Sequence, residues 1–161
     1  MTLRRLVLIG VIVSLSACAN LSNLNFRIDH RLHWQGPRER ALVQTPLTLT
    51  WSFDRLPPGS TFAVFVDRAP VKPGQTLKAV ASGDGACKSD PTCPNAEYLA
   101  ERRVYATTGM TLSLDLVAPL AGNRDRVQLH QATIVLLDAA GRRVGESAWT
   151  RQFKVRRVSL V

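Results

Sequence analysis

In Leu47-Thr48-Leu49-Thr50-Trp51-Ser52-Phe53-Asp54 the large apolar residues take every second place and small polar residues take the others. A strand points successive side chains to opposite faces, so this segment predicts a strand whose row Leu47, Leu49, Trp51 and Phe53 enters a core. The Pro57-Pro58-Gly59 break turns the chain, and Thr61 to Val66 follows with apolar or β-branched residues at every position. That composition suits a central strand buried on both faces. Thr111 to Leu116 repeats the alternation, with Leu112, Leu114 and Leu116 facing inward. Gln128 to Asp138 continues into Ala139-Ala140-Gly141-Arg142, where the glycine supplies the positive φ of a tight reversal. A return strand is then expected from about Arg143 to Val155, with Trp149, Phe153 and Val155 on one face. Arg151 interrupts that apolar row, as a bulge, a rim position, or a stem lying over the core with its charged head in water.

Helical periodicity is scarce. Only Asn95 to Tyr105 carries enough helix-forming residues for a turn or two. Short strands separated by turn signals predict an all-β fold, an antiparallel sandwich of two sheets with at most a short helix. The pattern resembles immunoglobulin-like and fibronectin-type-III-like domains of bacterial envelope proteins, with Trp51 as the core aromatic and the Gln128 to Val155 hairpin as the last strand pair. A small closed barrel is the structural alternative.

At the N-terminus, Arg4 and Arg5 precede the apolar run Leu6 to Leu15, which leads into Leu15-Ser16-Ala17-Cys18. Ten apolar residues fall well short of the roughly 20 that a membrane-spanning helix needs. A basic start, a short apolar middle and a small-residue end are the parts of a secretory signal, and with the terminal cysteine the run resembles the lipobox of bacterial lipoproteins. The resemblance implies that residues 1–17 form a signal peptide, that the Cys18 thiol is acylated, and that the mature protein is an extracytoplasmic lipoprotein. Two or more acyl chains make such attachment stable. Because Ala19 rather than aspartate follows the cysteine, the resemblance favours the outer membrane in a two-membrane cell, and the cell surface otherwise. Residues 18–25 then form a lipidated tether, and residues 26–161 the β-sandwich domain.

The formal charge is +9, of which Arg4 and Arg5 leave with the signal. In the cytoplasm such a balance suits nucleic acid. An exported chain meets acidic lipids and phosphorylated glycans instead, so no nucleic acid is expected and an envelope polyanion or envelope protein is. Arg142, Arg143, Arg151, Lys154, Arg156 and Arg157 crowd the last hairpin, opposed between Arg142 and Arg157 only by Glu146, and form the candidate site for an anionic ligand. The charged loop Asp67-Arg68-Ala69-Pro70, continued by Lys72-Pro73-Gly74, leaves a rigid strand as binding loops often do, which makes Asp67, Arg68 and Lys72 candidate contacts.

With Cys18 committed to lipid, Cys87 and Cys93 are the remaining thiols, and an even pair in an exported chain predicts a disulfide stapling the Ser82 to Asn95 loop. No cofactor or metal is expected. The cysteines have no C-x-x-C spacing or neighbouring histidine, Asp84 and Asp90 match no calcium loop, and His30 and His33 would face opposite sides of a strand, with His130 a distant third. Neither a G-x-S-x-G elbow, an H-E-x-x-H helix nor a phosphate-binding glycine loop occurs, so catalysis is not expected. The sequence thus points to a lipid-anchored binding or structural module of the cell envelope. The alternatives are an accessory subunit of an envelope complex and, behind it, a periplasmic metal-handling protein.

Overall fold

The structure, a computed structural model, describes residues 29–156. Cys18, the signal segment, the tether and Arg157 lie outside the described residues. Eight strands form two sheets: β1 (Leu32–Gly36), β2 (Ala41–Val43), β3 (Leu47–Phe53), β4 (Thr61–Val66), β5 (Val104–Thr107), β6 (Thr111–Leu114), β7 (Val127–Leu137) and β8 (Trp149–Arg156). The smaller sheet has the order β1-β3-β6 and the larger β2-β8-β7-β4-β5. Pairing is antiparallel except between β2 and β8, which run parallel. That pair corrects the all-antiparallel expectation, because the chain crosses from one sheet to the other between β1 and β3 and lays β2 beside the last strand on the way.

The alternation in β3 does what its period demands. Leu47, Leu49, Trp51 and Phe53 are buried, and they meet Phe62, Val64 and Val66 of β4, Ala132, Ile134 and Leu136 of β7, and Trp149, Phe153 and Val155 of β8 in one core between the sheets. Edge-to-face aromatic contacts join the two layers, with Trp51 and Phe53 at 5.6 and 5.5 Å from Phe62 and Trp149 at 5.5 Å from Phe53. Such pairs contribute about 0.5–1.5 kcal/mol each beyond the area they bury.

β4 is central and apolar on both faces, and its second face needs a second cover. Ala63 and Phe65, with Val104, Val135 and Leu137, pack under Val71, Leu77, Ala79, Val80 and Leu99. These covering residues belong to the long segment between β4 and β5, which holds a 3-10 turn (Leu77–Ala81) and two short helices, α1 (Gly85–Lys88) and α2 (Ala96–Glu101). The helix expected within Asn95 to Tyr105 is α2, started by the Asn95 side chain accepting from the Tyr98 N–H at 2.8 Å. α1 and the 3-10 turn exceed the single short helix expected.

One side chain ties this layer together. The Asp84 carboxylate caps α1 through the Ala86 N–H at 3.0 Å, and it accepts from the Tyr98 hydroxyl and the Arg102 guanidinium, both at 2.9 Å. The Tyr98 hydrogen bond, above all, holds Asp84 below the ordinary carboxylate range. Cys87 and Cys93 form the expected disulfide, with Cα atoms 5.3 Å apart, and clip α1 to the turn before α2.

Two strands end where the sequence pattern suggested they would continue. β6 stops at Leu114, and Leu116 stands 71% exposed rather than facing inward. The return strand begins at Trp149, since Arg143 makes only an isolated bridge to Leu137. The reversal before it is as expected, with Gly141 at φ +72° and its N–H on the Asp138 carbonyl at 2.9 Å.

At the beginning of the described chain, the Asp29 carbonyl accepts from the buried Trp149 indole at 2.7 Å, and its carboxylate grips Arg31 at 2.6 Å. The Arg31 guanidinium holds the Asp29 carboxyl far below its usual value of 3.8. A depressed carboxylate contributes stability above its unfolded pKa and loses it as pH falls through the folded one. Asp29→Asn is therefore expected to lower stability at neutral pH, while acid denaturation curves of the variant and parent converge well below pH 3.8. Replacing both Cys87 and Cys93 with serine is expected to lower stability by at most about 2.4 kcal/mol, the loop-closure figure for so short a ring, read from urea midpoints.

Candidate binding surface

The loop after β4 does not project its acid into solvent. Asp67 has a left-handed backbone, φ +52°, which breaks the strand's alternation and turns the carboxylate inward. Its side chain is 7% exposed. One oxygen receives the His130 Nδ1–H at 2.7 Å and Arg103 at 3.2 Å, and the other receives the Gln131 N–H at 2.9 Å. A carboxylate only accepts, so these bonds fix the His130 tautomer with its proton on Nδ1. His130 is itself buried and stacks on Phe153 at 5.9 Å. Beside it Gln128, also buried, receives the Leu120 N–H and donates to the Asn123 carbonyl. Of the three candidate loop contacts, Asp67 is thus the one turned inward and held by His130, Arg103 and the Gln131 N–H. Arg68 stays exposed, bonded to the Arg102 carbonyl at 2.9 Å, and Lys72 is exposed as well.

The last hairpin's cations divide in the same way. Arg143 is 8% exposed and donates to the carbonyls of Val71 at 2.6 Å and Glu146 at 2.8 Å. Burial pulls its pKa below the usual arginine value. Of the candidate anion ligands among the described residues it is the one buried, and it holds loop backbones together. Arg151 sits on the inward row of β8 in unbroken register with Ala132, so no bulge is present. Its guanidinium lies 5.5 Å from the Trp34 ring centroid and 3.6 Å from Glu39, a stem over the core with its head at the rim. Arg142 is exposed and reaches the Gly74 carbonyl at 3.2 Å.

Lys154 and Arg156 remain exposed on the outward face of β8. They are not alone there. Lys154 stands in register between Leu42 of β2 and Leu129 of β7, and Arg156 is paired with Val127. Leu42, Leu129 and Val127 are 53%, 41% and 39% exposed. Arg40, just before β2, reaches over the same face to the Gln152 amide oxygen at 3.1 Å. No aspartate or glutamate occurs in β2, β7 or β8. These strands thus bring cations and aliphatic side chains, and no carboxylate, to this face, while Glu39, next to Arg40 in the chain, accepts from the Gln152 N–H at 3.3 Å. Sequence reading found Lys154 and Arg156 but not their apolar neighbours, Leu42 being placed by the parallel β2–β8 register and Val127 and Leu129 by the antiparallel β7–β8 register.

The histidines do not converge. His33 Nε2 contacts Asp54 at 3.2 Å on the smaller sheet, and His130 lies inside with Asp67. Among the described residues no group of three His, Cys, Asp or Glu side chains is arranged to hold a metal ion, and no helix is long and apolar enough to cross a membrane. In comparison with known proteins, no family model, curated protein or solved structure matches this chain.

The two neighbouring arginines give a direct check on this division of roles. Arg143→Met strands the Val71 and Glu146 carbonyls and is expected to cost about 2–4 kcal/mol, since hydrogen bonds from charged groups contribute roughly 1.5–3 kcal/mol each. Arg142→Met should stay within about 0.5 kcal/mol of the parent, as exposed substitutions do. Chemical denaturation of the two variants side by side provides the measurement.

Proposed function

We propose that this protein is a lipid-anchored, extracytoplasmic binding or structural module of the bacterial cell envelope, attached through Cys18 and built as an immunoglobulin-like sandwich on the tether 18–25. The observation that carries the reading is the outward face of β2, β8 and β7, strands that hold no aspartate or glutamate, where Arg40, Lys154 and Arg156 offer positive charge to a polyanionic partner such as phosphate-bearing lipid or glycan. The Leu15-Ser16-Ala17-Cys18 run supports the anchor. The Cys87–Cys93 disulfide supports an oxidising compartment. Trp51 between the sheets and the β7–β8 pair support the immunoglobulin-like description, and a third layer covers β4.

Catalysis is not part of the proposal. The Asp67–His130 pair has the geometry of an oriented imidazole, but His130 is 2% exposed and covered by Phe153, out of reach of a substrate. A second reading, an accessory subunit of an envelope complex, is favoured by the exposed Leu116 beside a cavity of about 210 Å³ lined by Val66, Tyr105, Leu114 and Val117. Co-purification of a stoichiometric partner at high salt would favour that reading.

Intact mass of the protein extracted from membranes tests the anchor. Loss of residues 1–17, a diacylglyceryl or triacyl increment on Cys18, and two fewer hydrogens for the disulfide are expected. A full-length, unmodified chain recovered from the cytosol would sink the proposal.

A further inference from the structure

The first five residues of β7 invert the usual rule of a two-sheet protein. Gln128 and His130 point into the core and are buried, whereas Val127 and Leu129 point out and are exposed. The inward polar groups are satisfied by Leu120, Asn123 and Asp67, so the inversion is built rather than left over. Farther along the strand the same outward row, Val135 and Leu137, is covered by the layer carrying α1 and α2. The cover ends before Leu129. Three of the five large apolar side chains that stand strongly exposed among the described residues, Leu42, Val127 and Leu129, collect on this bare quarter of the sheet. Lys154 and Arg156 lie between them, with Arg40 at the margin.

We propose that this face is where the domain lies down on the anionic bilayer that holds its own anchor, with Lys154, Arg156 and Arg40 meeting lipid phosphates and Leu42, Val127 and Leu129 entering the headgroup boundary. The inference deepens the envelope reading above and rests on its anchor at Cys18. Cations alone would suit any polyanion. Aliphatic side chains set between cations match a surface that is charged outside and apolar just beneath, which a soluble glycan phosphate does not provide. Chain length permits the posture. Asp29 is tied to Trp149 at the start of β8, about 17 Å from Lys154 along the strand. The stretch from Cys18 to Asp29 spans at most about 36 Å, so an anchor in the bilayer leaves the face free to reach the headgroups.

The test uses the full lipidated protein in vesicles. With Cys18 acylated and Cys87 bonded to Cys93, Leu129→Cys gives a single site for an environment-sensitive dye, and Thr48→Cys places the same dye on the exposed face of the smaller sheet as a control. In vesicles containing about one-third phosphatidylglycerol, the dye at position 129 should shift to the blue, and in pure phosphatidylcholine it should stay aqueous. The dye at position 48 should stay aqueous in both. Lys154→Gln combined with Arg156→Gln should reduce the docking equilibrium about 25-fold, taking roughly fivefold for each cation near an anionic surface. Leu42→Asn should weaken docking without changing the charge, and all three substituted positions are exposed, so melting temperatures should hold. Protein that floats with vesicles while position 129 stays aqueous overturns the docking and leaves the anchor standing. Protein that does not float overturns both. Shielding of position 129 only when envelope protein is added assigns the face to a protein partner and overturns the bilayer assignment.

Discussion

The structure depends on β4 and the second half of β7 being apolar on both faces. A strand pair of this kind is stable only between two covers, because each exposed face would leave several large side chains in water at about 1.5–3 kcal/mol each. The smaller sheet supplies one cover through Leu49, Trp51 and Phe53. The segment between β4 and β5 supplies the other through Val71, Leu77 and Leu99. This second layer is short in regular structure, and its rigidity comes from local ties: Asp84 bridging α1 to α2, and the Cys87–Cys93 disulfide. The staple sits where helix length alone could not hold the cover, since isolated helices of four and six residues are not stable in water.

Where the second cover stops, the chemistry of the larger sheet changes. Beyond the reach of the helical layer, β7 carries Gln128 and His130 inward, and the loop after β4 brings Asp67 to meet them. Burying such groups costs stability unless each finds a partner. Here Arg103, the Gln131 N–H, the Leu120 N–H and the Asn123 carbonyl provide them. The same positions then present Val127 and Leu129 outward. One polar network inside therefore sets the character of the face outside.

What was legible in the sequence follows from which interactions are local. The period of Leu47 to Phe53, the two-sided apolar run of Thr61 to Val66, the glycine turn at Gly141 and the short helix within Asn95 to Tyr105 are written within a few residues, and each appears in the structure. The direction of a charged side chain is not local. Asp67 turns inward because its backbone adopts a left-handed angle, and Arg143 turns inward because carbonyls at Val71 and Glu146 need a donor. Both residues look like exposed charges when only their neighbours in sequence are considered. The outward face had a similar obstacle, since Leu42 flanks Lys154 only through a parallel pairing between residues more than a hundred positions apart, while Leu129 faces it from the neighbouring strand of the hairpin.

This separation changes how the positive charge of the chain is understood. Summed over the last hairpin, the basic residues suggest one patch. In three dimensions, Arg143 is consumed by backbone carbonyls and Arg151 by Trp34 and Glu39, on the inner side of the sheet. Lys154 and Arg156 remain, and Arg40 joins them from a different part of the chain. Two or three cations give a modest attraction that salt weakens readily. Such a surface is too weak to capture a free polyanion tightly. It is well matched to a partner held at high local concentration by a tether, where a weak contact becomes an intramolecular one and only orientation remains to be decided.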